Sequence, residues 1–79
     1  MITFTYTKAN KESSERICAV LEETDTFFFC VDLTSYDTPD KKRLADNIEY
    51  DPSGVIKALD LMKYYRKFLK ANISNLIKE

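Results

Sequence analysis

Residues 63–76, KYYRKFLKANISNL, set three aromatic rings among four basic side chains. Rings stack on nucleobases and cations hold phosphates, so Tyr64, Tyr65, Arg66, Lys67 and Lys70 have the residue types of a nucleic-acid surface. Tyr and Arg are also favoured anchors in protein–protein interfaces. Spacing decides how many can act together. On a strand, Arg66 and Lys67 point to opposite faces, and only one of them belongs to any given site. Arg16, some fifty residues earlier, is a further candidate cation.

The remaining reactive residues are few. Cys18 and Cys30 could form a redox pair or half of a metal site. A metal needs more ligands than two thiolates, and the 79 residues contain no His. The favoured reading is two small, semi-buried side chains filling space, so neither a metal nor a cofactor is expected. Without His the usual general base is missing. A single Gly excludes a glycine-rich phosphate loop. The acids are scattered, and no Ser or Cys sits in a nucleophile motif. The chain is expected to act by binding rather than by catalysis. The DKKR run at residues 40–43 reads as a solvated helix face.

Composition sets the frame. A chain of 79 residues is expected to form one domain over residues 1–79. It buries only about 60–65% of its unfolded surface. Ten aromatics partly offset that small core, because each ring buries a large apolar area. The net charge of −1 argues against a dedicated nucleic-acid binder. Charge is nevertheless divided: residues 1–54 hold 6 basic and 11 acidic side chains, and residues 55–79 hold 6 and 2. No apolar run approaches the ~20 residues that span a bilayer. The opening MITFTYTK alternates apolar and polar residues, unlike a signal peptide. The two cysteines are then expected as reduced thiols in a cytoplasmic protein without a membrane partner.

Three strands are expected first. Ile2, Phe4 and Tyr6 alternate with Thr3, Thr5 and Thr7. Residues 9–14 read as a loop, residues 15–22 as strand two, residues 23–25 as a turn and residues 26–33 as strand three. A shared apolar face predicts Tyr6 opposite Ile17, Phe4 opposite Ala19 and Ile2 opposite Leu21. It likewise predicts Leu21 opposite Phe27, Ala19 opposite Phe29 and Ile17 opposite Val31. Lys8 then faces Glu15, Arg16 faces Asp32 and Cys18 faces Cys30.

Two short helices follow, each opened by proline. Thr38 is the expected cap of the first, with Leu44 and Ile48 as its apolar stripe. Asp51 and Pro52 open the second, whose apolar face is Val55, Ile56, Leu59 and Met62. Residues 64–77 allow two answers. Leu59, Met62, Tyr65, Leu69, Ile73 and Leu76 follow helical spacing, which would make one helix of about 25 residues, ~37 Å long. Such a helix overhangs strands of about 25 Å. The other answer is a strand through Tyr64–Leu69, a turn at Ala71 and Asn72, and a last strand at residues 73–77.

A resemblance favours the strands. Ile2, Phe4 and Tyr6, then Ser14 and Arg16, then residues 27–32, then Arg66, Phe68, Ile73 and Leu76 resemble, in order, the motifs of the WYL-type domain. That family is a small SH3-like β-barrel, and the likeness covers about two-thirds of the chain. The Trp-Tyr-Leu tripeptide is absent, helices occupy a usually short connection, and no helix-turn-helix segment precedes the first strand. The resemblance implies nucleic-acid or nucleotide binding, with Arg16 and Arg66 as the residues carried over.

The expected fold is therefore α+β: a three-stranded antiparallel meander, two short helices, and C-terminal strands closing a small SH3-like open barrel. The alternative is a long C-terminal helix packed on the sheet. The expected function is a small regulator or inhibitor contacting a larger protein, of the kind common in phages and mobile elements. The alternative is a nucleic-acid or nucleotide-binding module. Arg66, Lys67, Lys70, Tyr64, Tyr65 and Arg16 are the candidate contact residues.

Overall fold

The computed structural model describes residues 1–78, and for Thr38 and Pro39 the backbone alone. The strands are β1 (Ile2–Thr7), β2 (Ser13–Glu23), β3 (Phe27–Asp32), β4 (Tyr65–Leu69) and β5 (Ile73–Lys78). Helices α1 (Thr38–Tyr50) and α2 (Pro52–Leu59) lie between β3 and β4. All strand pairs are antiparallel, in the order β4-β3-β2-β1-β5. The α+β class and the C-terminal strands are as expected. The long C-terminal helix is not formed.

That helix fails at Asp60, whose backbone is left-handed at φ 53° and ψ 50°. A single turn of 3-10 helix, Leu61–Tyr64, then delivers the chain into β4. Local spacing suits a helix here. Pairing with β3 wins because it lets Phe68 oppose Phe28 in the core. Leu59 and Met62, expected on the apolar face of α2, are instead exposed. They lie at and beyond the last turn, where the chain has left the helical path.

The sheet is curled. β4 and β5 lie at opposite ends of the strand order, yet only Lys70–Asn72 separate them. Four Cα steps reach about 14 Å at most. The edges of a flat five-stranded sheet would be roughly 19 Å apart. Bulges assist the curl, because each adds local twist. One doubles β2 at Leu21, and one lies in β5 at Asn75, whose φ is 54°. The curl brings Phe68 of β4 edge-on to Phe4 and Tyr6 of β1, both at 5.0 Å.

Two cores result. Inside the curl, Ile2, Phe4, Cys18, Phe28, Cys30 and Phe68 are buried together. On the convex side, Ala19, Val31 and Leu33 pack under Leu44, Ala45, Ile48, Ile56 and Leu61. Strands β2 and β3 bury both faces. This is why they read as near-continuous apolar runs rather than clean alternations.

Double burial also corrects the predicted registers. Ile2 faces Cys18, Phe4 faces Arg16 and Tyr6 faces Ser14, three residues from the expectation. An odd slip reverses faces: β1 serves the inner core, whereas Ala19 and Leu21 serve the helical one. Glu15 consequently faces Thr5 instead of Lys8. Between β2 and β3 the slip is two residues up to the bulge at Leu21, which preserves faces, and three beyond it, where Glu22 meets Phe29. Ala19 meets Val31, Cys18 meets Asp32, and Cys30 meets Val20.

Both helices open with proline in the first turn. The cap position of α1 is Asp37, one residue before the expected Thr38, and Asp37 makes no side-chain capping bond. The Thr38 side chain expected there lies outside the described residues. Asp51 caps α2 by accepting from the Gly54 amide at 3.3 Å. No helix among the described residues is long and apolar enough to cross a membrane.

Candidate functional site

Curling the sheet opens a cleft of about 360 Å³ at one end of the inner core. Tyr6 and Lys8 line it from the β1 end, Ser14 and Arg16 from β2, Asp32 from β3 and Arg66 from β4. Arg16 and Arg66 are brought together although β3 lies between their strands. Both stand on the inner face: Arg66 opposes Cys30, and Arg16 opposes Phe4. A smaller recess of about 210 Å³ adjoins it, sharing Arg16, Asp32 and Arg66 and adding Thr34, Ser35 and Tyr64.

Asp32 is the fixed point between them. Its Oδ2 accepts from Arg16 Nη1 at 3.1 Å, and its Oδ1 accepts from the Thr34 amide at 3.0 Å and the Thr34 hydroxyl at 2.5 Å. Burial alone would raise this carboxyl's pKa. The Thr34 and Arg16 hydrogen bonds outweigh that, and Asp32 lies below the ordinary carboxylate value. Arg16 spends a second donor, Nε, on Ser14 Oγ at 3.2 Å. A guanidinium has five N–H donors, so Arg16 is held in place with donors to spare. Arg66 is exposed and makes no ion pair among the described residues. The expected Arg16–Asp32 pair thus forms, but diagonally across the strands.

The other candidates disperse. Tyr64 borders the smaller recess, its ring edge-on to Tyr36 at 5.6 Å. Burial first, and then the neighbouring Tyr64 hydroxyl, raise the Tyr36 pKa. Tyr65 stands on the convex face beside Phe29, ring centres 6.4 Å apart. Lys67 borders the cleft, but its ammonium lies 4.0 Å over the Phe27 ring. By strand alternation that is the opposite face to Arg66. Lys70 is bonded to Glu23 at 2.6 Å and lies over Phe28. That hydrogen bond holds the Glu23 carboxyl below its usual range. Arg66, Lys67 and Lys70 therefore do not form one basic face.

Tyr6, Lys8, Ser14 and Asp32 complete the cleft without having been singled out as contact residues. Tyr6 reads from sequence as one more core aromatic of β1. Only the curl places its ring against Phe68 at the cleft.

Cys18 and Cys30 are both reduced and fully buried. They are diagonal rather than opposed, and diagonal neighbours in a sheet are typically about 7–8 Å apart at Cα. A disulfide usually needs less than about 6.8 Å. The hydrogen bond to Cys30, then burial, pushes the Cys18 pKa far up, so the thiol stays protonated and unreactive. No third potential metal ligand joins them among the described residues.

Comparison with known proteins found no matching family model, no similar curated protein and no similar solved structure.

Proposed function

We propose that this chain is a non-catalytic binding module whose cleft takes the phosphate of a nucleic acid or nucleotide. The observation that carries this reading is the convergence of Arg16 and Arg66 on one cleft from strands that are not neighbours. Arg16 is oriented by Asp32 and Ser14, and Arg66 is uncommitted. Planar guanidinium forks suit phosphate oxygens. Tyr6 on one side and Tyr64 on the other offer rings against which a base can stack.

The reading is consistent with the WYL-type resemblance, whose two carried-over arginines are the two that line the cleft. The curled sheet supports an open SH3-like barrel as the scaffold. A cytosolic setting, with both thiols reduced, belongs to the same proposal.

Fluorescence anisotropy with a labelled single-stranded oligonucleotide tests it. Two phosphate contacts predict a slope of log affinity against log salt of roughly −1.4. Arg66→Ala should flatten that slope by about 0.7. Absence of binding at low salt would remove the proposal.

A second reading, a small regulator or inhibitor of a larger protein, rests on a different observation. Phe27, Phe29 and Tyr65 form a convex aromatic strip beside β4, which is an unpaired sheet edge. Aromatic strips and free edges are both used to dock partners. A pull-down with and without nuclease separates the readings: a nuclease-resistant partner lost in Tyr65→Ser favours this one.

A further inference from the structure

Away from the cleft, a groove of about 530 Å³ runs along α2. Leu21 and Ile56 are its least exposed lining residues, Pro52 and Met62 flank them, and the polar residues Ser53, Lys57 and Asp60 complete the lining. Met62 is 60% exposed there. Tyr50, the last residue of α1 and two residues from Pro52, is 93% exposed. A large ring is thus left projecting beside an open apolar groove.

Asp60 is locally disfavoured on two counts. Its left-handed backbone is the position where helices usually place Gly or Asn. Its carboxylate sits at the negative end of the α2 dipole. It makes no capping bond with its side chain, and neither it nor Lys57 has an ion-pair partner among the described residues. Its backbone amide caps α2 by donating to the Ile56 and Lys57 carbonyls, while its carboxylate is left facing outward without an ion-pair partner among the described residues.

One surface therefore carries a knob and a hole, and one free charge of each sign. A two-fold contact between identical surfaces requires this combination, since whatever one copy offers the other must accept. A partner of a different kind would need only half of it. We propose that the α2 face joins two copies of this chain about a two-fold axis. The Tyr50 ring of each copy occupies the other's groove, and Lys57 of each faces Asp60 of the other. One helix and one ring make a small interface, so the dimer exchanges, with a dissociation constant on the order of micromolar to tens of micromolar.

Sedimentation velocity of the full chain, from low to high micromolar concentration, tests this. The weight-average mass should rise from the chain's 9.2 kDa toward twice that value. Tyr50→Ser should weaken association about tenfold or more. Lys57→Glu, which sets two acids face to face, should also weaken it, and Lys57→Glu/Asp60→Lys should restore it. Should Asp60→Lys disturb the fold, Asp60→Asn keeps a residue that tolerates the left-handed backbone and should weaken association as well. A mass fixed at 9.2 kDa throughout would overturn the proposal. So would a dimer indifferent to both Tyr50→Ser and Lys57→Glu.

Discussion

Asp32 shows how one residue serves both stability and the cleft. Three donors converge on its nearly buried carboxylate, and one of them is the guanidinium of Arg16, which lines the cleft. Arg16→Ala removes that donor and leaves the charge short of a partner. The expected cost is about 1–3 kcal/mol in urea unfolding at pH 7. Arg66→Ala, at an exposed position, should stay within about 0.5 kcal/mol of the parent. The pH dependence follows from the lowered Asp32 pKa. A carboxylate held below its unfolded value of about 3.9 contributes stability above that pH. The contribution fades as pH falls through the folded pKa, so the Arg16→Ala penalty should shrink in unfolding curves taken toward pH 3. The Arg16–Asp32 pair was legible in the sequence even though the register predicting it was two residues off. A long Arg side chain reaches a diagonal neighbour as well as an opposed one. Tyr6 and Lys8 were not legible as cleft residues, because their place depends on a curvature that no local pattern carries.

At the scale of elements, alternation identified β1 and the proline-led helix starts identified α1 and α2. These signals are local, and local physics decides them. The C-terminal third was ambiguous for a physical reason. Its apolar spacing satisfies both periods, and the choice is made by a distant partner, β3, together with a left-handed residue, Asp60, that no Gly or Pro announces. The registers failed for a related reason. One apolar face was assumed per strand, whereas β2 and β3 bury two. The bulge in β5 was equally silent, since Asn75 looks like any polar strand residue. Its φ of 54° makes it testable. Asn75→Val forces a β-branched side chain into the left-handed region and should cost about 1–2 kcal/mol by thermal or urea unfolding. Asn75→Gly should be nearly neutral.

For the whole molecule, the decisive feature is that a five-stranded sheet bends until β4 touches β1. Phe68, 6% exposed, makes that contact through Phe4 and Tyr6. Truncating a buried Phe to Ala costs about 3–5 kcal/mol. A small domain has little more than that in total. Phe68→Ala should therefore leave a substantial unfolded population at room temperature, visible as collapsed dispersion in a proton–nitrogen correlation spectrum. Phe68→Leu should remain folded. Dispersion unchanged in Phe68→Ala would mean that the curl does not depend on this residue. Curvature also bears on the proposed function, because it opens the cleft that Arg16 and Arg66 both line, whereas strand alternation turns the Lys67 ammonium toward Phe27 and Glu23 holds Lys70. The most direct measurement follows the backbone amides during titration of the intact chain with a short single-stranded oligonucleotide at low salt. Phosphate binding in the cleft predicts shifts concentrated at Tyr6, Lys8, Arg16, Tyr64 and Arg66, and lost in Arg66→Ala. Shifts centred on Phe27, Phe29 and Tyr65, or none at all, would contradict it.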